Sequence, residues 1–316
     1  MRLRPRSRAV RPPRSPDPGP VGGRWSDLPR LAIATLTACA GLLAPAAAQS
    51  GRNPPPPPAY VQLGKPDQQQ GREILEQFRA QGLAGDYYLE FELRVLPRDG
   101  DERVLHGRLW GTRNAGGPVS RVTLDPAAAG GPETRLLVQS GPAPALWRSS
   151  GTGGAAEALD VAAQFAPLAG TDLTPFDLQM PFLYWPDFTY EGVVRSHGRP
   201  AHRFVLHPPA ALAAQHPGLA AVQVDLDTQY VALVEAELLG ADGRPLKTVS
   251  LLDLQKVGDQ WLVKAIDLRD ETTRNKTRFA VTAAALNLHL PAALFTPAGL
   301  AEPAPVPADL THLAGP

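Results

Sequence analysis

Val222-Gln223-Val224-Asp225-Leu226-Asp227, Val249-Ser250-Leu251-Leu252-Asp253-Leu254 and Trp261-Leu262-Val263-Lys264-Ala265-Ile266-Asp267-Leu268 belong to a row of short apolar-alternating runs between Met180 and Leu300. Val194 and residues 204–206, 230–238 and 279–288 read the same way. Alternation at a period of two marks a strand with one dry face. Between the runs stand Ser196-His197-Gly198-Arg199, Ala241-Asp242-Gly243-Arg244 and Gly258-Asp259. Asp-Gly and Gly-Asp supply the positive φ that tight hairpins need, so the runs are expected to pair antiparallel in chain order. No nucleophile elbow, metal cluster or phosphate loop interrupts them. That pattern suits a surface that holds a ligand rather than one that reacts.

Working outward, Leu89, Phe91, Leu93 and Val95 alternate with Glu90, Glu92 and Arg94, and Asp99-Gly100 turns this strand into further ones over 104–112, 119–124, 134–139 and 145–148. Ahead of them, Ile74, Leu75 and Phe78 share one face of a short helix. The break between the two meanders is Ser150 to Trp185. Residues 155–165 are Ala-rich and helix-prone, and Thr174-Pro175 is an N-cap with proline at N1, the start of a second helix. Phe165, Phe176, Met180, Phe182 and Trp185 make this segment unusually apolar. Two short helices here would lie across the sheet as a lid; a ligand cover and an ordinary closed core fit the sequence equally. The fold class is mainly β with helices (α+β), in one domain over residues 71–300.

Pro186-Asp187-Phe188-Thr189-Tyr190-Glu191, the strand from Val222 to Asp227, Gly243-Arg244-Pro245-Leu246-Lys247-Thr248, Gly258-Asp259-Gln260-Trp261, Thr277 and Leu294-Phe295-Thr296-Pro297-Ala298-Gly299-Leu300 follow in that order. In order and spacing they resemble the outer-membrane lipoprotein-sorting proteins, the LolA-like group of periplasmic lipid carriers. The helix Gly71-Arg72-Glu73-Ile74-Leu75-Glu76 and the strand from Tyr87 are similar to that family's opening. The resemblance implies an incomplete antiparallel β-barrel, a half-barrel, covered by short lid helices. Its concave face would receive acyl chains of a lipoprotein or another lipid. The residues expected to line that groove are Leu89, Phe91, Leu93, Val95, Leu105, Leu109, Phe204, Leu206, Val222, Val224, Val234, Phe279 and Val281. Phe165, Phe176, Met180, Phe182 and Trp185 would form the lid. Family carriers hold the lid with a strand arginine, for which Arg94 and Arg108 are available. Partners implied are an inner-membrane release complex and an outer-membrane acceptor, with the carrier a monomer. The alternative is an envelope sensor that uses the same half-barrel to bind a protein or peptide, as sigma-factor regulators do. Those usually carry a second domain after the barrel, whereas sixteen residues follow Leu300 here.

Enzymatic readings fail on geometry. His197, His202 and His207 recur every five residues, which on a strand alternates faces and cannot converge on a metal. Asp225 and Asp227 share a face, as do Asp267 and Arg269, but these acids stand near turns, where solvated carboxylates are ordinary. Ser149-Ser150-Gly151-Thr152-Gly153-Gly154 lacks the context of a phosphate cradle. No metal and no cofactor is called for, and no catalytic residue is assigned.

The two ends read as export and flexibility. Eight arginines before Leu31, an apolar stretch to Leu43 and Ala46-Ala47-Ala48 make residues 1–48 a secretory signal peptide. Val21 is an alternative start. The lone cysteine, Cys39, follows Leu36-Thr37-Ala38 in the spelling of a lipobox, so it is a candidate lipidation site that would tether the chain to a membrane. Residues 49–70, with Pro54 to Pro58 and Gln68-Gln69-Gln70, form a linker, and 301–316 a flexible tail. Removing residues 1–48 takes away eight arginines and two aspartates, leaving 23 basic against 29 acidic side chains. Such a chain carries no electrostatic footprint for nucleic acid. The exported protein is expected in the periplasm with Gln49 at its N-terminus. N-terminal sequencing of envelope fractions tests this; an intact leader would contradict it.

Overall fold

Hairpin after hairpin folds residues 65–126, 132–150 and 153–314, those the computed structural model describes, into one fourteen-stranded sheet. The expected signal peptide, Cys39 and the proline run lie outside the described residues. β1 (Asp86–Leu96), β2 (Arg103–Asn114), β3 (Gly117–Leu124), β4 (Thr134–Gln139), β5 (Ala145–Ser150) and the short β6 (Glu157–Ala158) make the first meander. The second comprises β7 (Phe188–Ser196), β8 (Arg199–Leu206), β9 (Ala221–Asp227), β10 (Leu233–Leu239), β11 (Pro245–Val257), β12 (Gln260–Asp270) and β13 (Lys276–Leu288). The meanders join where β1 pairs antiparallel with β13, from Asp86 opposite Leu288 to Leu96 opposite Lys276. β6 and β7 end the strand order, so the barrel is incomplete. β14 (Thr311–His312) pairs with β13 off this path.

The turns follow the local chemistry. His197 and Gly198 both have positive φ, 47° and 81°, as a type I′ hairpin requires. Register shifts interrupt β7 between Tyr190 and Gly192, β10 between Leu233 and Glu235, and β11 between Leu251 and Leu254. Each bulge adds local twist and bend, which a sheet needs if it is to curl around a core.

α1 (Gln68–Ala80) packs on the inner face. Asp67 caps it, its side chain accepting from the Gln69 N–H at 2.9 Å. The three glutamines expected in the linker are therefore the helix's first turn. Gln68 spans to the outer edge of β7: its Oε1 accepts from the Tyr190 N–H and its Nε2 donates to the Tyr190 carbonyl, both at 2.8 Å. Gly71 makes the approach feasible, since a Cβ there would stand 2.5 Å from that of Tyr190.

Between the meanders lie α2 (Val161–Gln164), α3 (Pro175–Gln179) and a 3₁₀ turn at Pro181–Tyr184; α4 (Ala210–Gln215) follows β8. The helix expected over 155–165 shrinks to one turn. Trp147 and Arg148 of β5 pair with Ala158 and Glu157, and the Leu159 N–H donates to Leu146, so tertiary pairing overrides the propensity of the alanines. Asp160 then caps α2.

Residues expected as a flexible tail are instead tied to the outer face. Arg121 and Arg135, both buried, donate to the carbonyls of Gly299, Leu300, Ala301 and Glu302. Trp110 Nε1 donates to the Pro305 carbonyl at 2.7 Å. Burial, with Arg135 alongside, pushes the Arg121 guanidinium down to about 10, so it stays charged at neutral pH. Tyr88, Trp110, Ala285 and Leu294 form an apolar cluster there, with Leu290, Phe295 and Leu310 packed on it. Alternation alone shows one dry face per strand; β1 also buries Tyr88 on the other.

Gly71→Ala should destabilise the protein by about 1–3 kcal/mol, the usual cost of overpacking. Urea unfolding checks this; an unchanged midpoint would mean that α1 does not depend on its contact with β7.

Candidate functional site

The inner face gathers the expected groove residues into one cluster. Leu89, Phe91, Leu93, Val95, Leu105, Phe204, Leu206, Val222, Val224, Phe279 and Val281 are all buried in it, and Leu109 is half-buried against it. Phe91 stacks on Phe279 at 4.4 Å between ring centroids. The ring has space because β2 carries Gly107 beneath it; a Cβ there would come within 2.3 Å of Phe91. Val234 is the exception. The bulge in β10 sets Leu233 opposite Leu226, and Leu233 rather than Val234 packs on the cluster.

The segment expected as a lid fills the same space. Phe176, Phe182 and Trp185 are buried in the cluster, with Phe165 and Met180 partly buried against it. Phe165 stacks on Phe176 at 4.4 Å, and Phe182 meets Trp185 edge to face at 6.3 Å. On its other side Phe165 lies flat against His216, with centroids 3.8 Å apart. Burial lowers the His216 pKa, so the ring facing Phe165 is neutral at neutral pH. A cleft of about 260 Å³ opens onto this aromatic group. Val161, Phe176, Pro181, Trp185, Pro209 and Leu212 line it, with Gln164, Gln179 and Gln215.

Polar ties at the ends of the short helices hold them in place. Thr174 and Asp177 form a capping box at the start of α3. Asp177 Oδ2 also accepts from Lys247 Nζ of β11 at 2.7 Å, and the same Nζ donates to the Asp172 carbonyl at 2.8 Å. Both side chains are largely buried, 12% and 2% exposed, so water screens the pair weakly. Thr277 Oγ1 of β13 donates to Asp172 Oδ2 and accepts from the Asp172 N–H. At the far end, Arg79 of α1 donates to the carbonyls of Leu183 and Trp185 and lies over the Tyr184 ring. Gln179 Nε2 reaches the Gln139 carbonyl at 2.9 Å. One atom is left over: Asp177 Oδ1 is buried without a hydrogen-bond partner.

These holding residues differ from those expected. Arg94 pairs with Glu92 at 3.0 Å, and Arg108 with Glu133 at 2.9 Å and Asp125 at 3.3 Å. Both occupy strand positions alternate to the inward leucines, so neither reaches the lid. Lys247 and Thr277 could have been found, since both stand inside the sequence runs that carry the resemblance, and Thr174-x-x-Asp177 spells a cap. Arg79 gave no such signal.

The remaining polar residues are neutralised locally. Asp225 is buried, not solvated, and accepts a bidentate pair from Arg203 at 2.8 and 2.7 Å. Asp267 does the same for Arg278. His202 is half-buried; its Nδ1 lies 2.7 Å from the Tyr190 hydroxyl, and burial lowers its pKa. Among the described residues there is no group of three metal-ligating side chains, and no helix is long and apolar enough to cross a membrane.

Lys247→Met should leave the Asp177 carboxylate buried without its cation, costing about 3–5 kcal/mol locally. Amide exchange over residues 171–185 should then quicken while residues 89–95 stay protected. Equal protection in variant and wild type would show that the pair does not fix α3.

Comparison with known proteins agrees with this architecture. A family profile described only as an uncharacterized protein matches residues 163–302. No curated protein matches the sequence. A putative outer membrane lipoprotein-sorting protein domain from Vibrio parahaemolyticus superposes with a TM-score of 0.64 at 18% identity, covering 75% of this chain and 100% of the other. A DUF1329 family protein from Desulfovibrio piger gives 0.63 at 15% identity, over 73% and 98%. A LolA superfamily protein from Nitrosomonas europaea gives 0.53 at 16%, over 71% and 96%. The chain has the LolA-like fold, an open β-barrel with its helices on the inner face.

Proposed function

We propose that this chain is a periplasmic carrier or chaperone that takes the acyl chains of a lipoprotein, or another lipid, between its sheet and its short helices. The observation that carries this reading is the aromatic group Phe165, Phe176, Phe182 and Trp185. It lies inside the half-barrel on one-turn helices, with an apolar cleft leading to it. Rings on such short helices can stand in for a ligand. When they swing out, the inner face that Leu89, Phe91, Leu93, Phe204 and Phe279 share is left for an acyl chain.

The energetics suit exchange. Each buried methylene contributes about 0.8 kcal/mol, so a chain of some fifteen is worth roughly 12 kcal/mol against water. It offsets what opening gives up: burial of the displaced rings, about 1.5–3 kcal/mol for each that becomes exposed, and a few polar ties, each worth about 1–3 kcal/mol. Opening also lets water reach Asp177 Oδ1, removing a penalty that the closed state carries. No reaction is required of the site, and the reading is of a binding protein rather than an enzyme. The lipoprotein-sorting neighbour shares the fold and lends the reading its cargo by analogy.

Phe91→Glu tests the groove. A charge at this fully buried position should abolish binding of a fluorescent fatty-acyl probe, provided circular dichroism shows the fold intact. A folded variant that binds the probe as wild type does would refute the assignment. Native mass spectrometry of the protein purified from the periplasm should show a bound acyl species.

A further inference from the structure

β13 uses its two edges unequally. Toward β1 it is paired from end to end. On the other edge, β12 pairs only through Ala265 to Arg269, opposite Ala280 to Lys276. Past Ala280 the ladder ends and β14 takes the place of β12, with His312 opposite Ala283 and Thr311 opposite Ala284. The Leu313 N–H adds a bond to the Thr282 carbonyl at 2.8 Å. At the far end, Gln260 of β12 still reaches Asn287 of β13, Nε2 to Oδ1, at 3.0 Å. The sheet therefore contains a slot about one strand wide, with β13 on one side and the start of β12 on the other.

Residues 310–313 thread it. Leu310 packs on the outer cluster with Tyr88 and Trp110, whereas Leu313 packs on the inner one. Side chains three apart on a strand face opposite ways, so one short segment joins both faces. Its hold is light. Thr311 and His312 are exposed, the pairing covers two residues, and Pro303, Pro305 and Pro307 just upstream have no N–H to donate.

We propose that this slot is a strand-acceptor site, that residues 310–313 are its resident occupant, and that an extended peptide of a partner protein takes their place. The chemistry selects a peptide over a lipid. Removing β14 frees backbone groups of Thr282 to Ala284 within the sheet, and buried backbone groups require partners. A peptide supplies them by strand addition; an acyl chain does not. The fitting segment has apolar side chains at its first and fourth positions, as Leu310 and Leu313 have, and no proline between or at the fourth. This site borders the acyl-binding interior through Leu313 and Ala284 but does not depend on the acyl-binding reading.

A labelled peptide of sequence Ala308-Asp309-Leu310-Thr311-His312-Leu313-Ala314 tests the slot by fluorescence anisotropy. The protein is compared intact, ended after Ala308, and full-length with Leu313→Asp. A tethered occupant competes at an effective concentration near millimolar, so both opened proteins should bind the peptide about a hundredfold more tightly than the intact one. Thr311→Pro in the peptide should abolish binding. The proposal fails if folded, opened protein binds no better than intact, if the proline peptide binds equally, or if a fatty-acyl probe competes the peptide away. Should neither opened protein fold, the segment is structural and the proposal fails as well. Peptide binding is read on the opened proteins and acyl binding on the intact one, so failure of the one and failure of the other are separate outcomes.

Discussion

The pairing of β1 with β13 is the constraint on which the rest of the structure depends. Two meanders, each made of local hairpins, would otherwise be two separate sheets with a wet edge apiece. Joining them places Phe91 against Phe279 and brings Leu89 to Val95 into one cluster with Phe204, Leu206, Val222 and Val224. Nearly two hundred residues separate the partners, so the joint costs loop-closure entropy, which grows only slowly with loop length. In return the sheet gains an inner face broad enough to enclose three short helices.

On the proposed reading, those helices keep an apolar interior dry without closing it permanently. α3 and the 3₁₀ turn contribute few hydrogen bonds of their own and depend on Lys247, Thr277 and Arg79, which come from three other elements, and on Gln179 of α3 reaching out to the Gln139 carbonyl. Apolar packing supplies the attraction, and the polar ties supply the position. On the proposed reading, the arrangement is withdrawn as a unit once an acyl chain fills the space, since the ties are few and mostly to backbone carbonyls.

The strands were legible in the sequence because alternation and Asp-Gly turns are local signals. Thr174-Pro175 likewise announced α3. What escaped was whatever depends on distant chain. The pairing of Glu157 and Ala158 with β5 turned an expected helix into a strand and one turn, and the bulge that replaced Val234 by Leu233 cannot be seen in one strand's pattern. Arg121, Arg135 and Trp110 hold residues 299–305 through backbone carbonyls, a kind of partner that composition does not display. A stretch rich in proline and alanine therefore read as loose although it is tied down. For the segment expected as a lid, the aromatic content and the Thr174-x-x-Asp177 cap were visible, but the pairing of Lys247 with Asp177 was not, since the two lie seventy positions apart.

Gln68 carries a consequence for the protein in a crowded compartment. An open sheet exposes unpaired N–H and C=O groups along its outermost strands, and these invite other chains to add on. At the β6 side the exposed strand is two residues long. At the β7 side a single carboxamide imitates the missing neighbour, offering one donor and one acceptor to Tyr190 as a strand would. The helix that seals the interior thus also guards the sheet against fibril-like stacking, and it does so beside Glu191 and Arg195, whose exposed charges discourage a second copy from approaching.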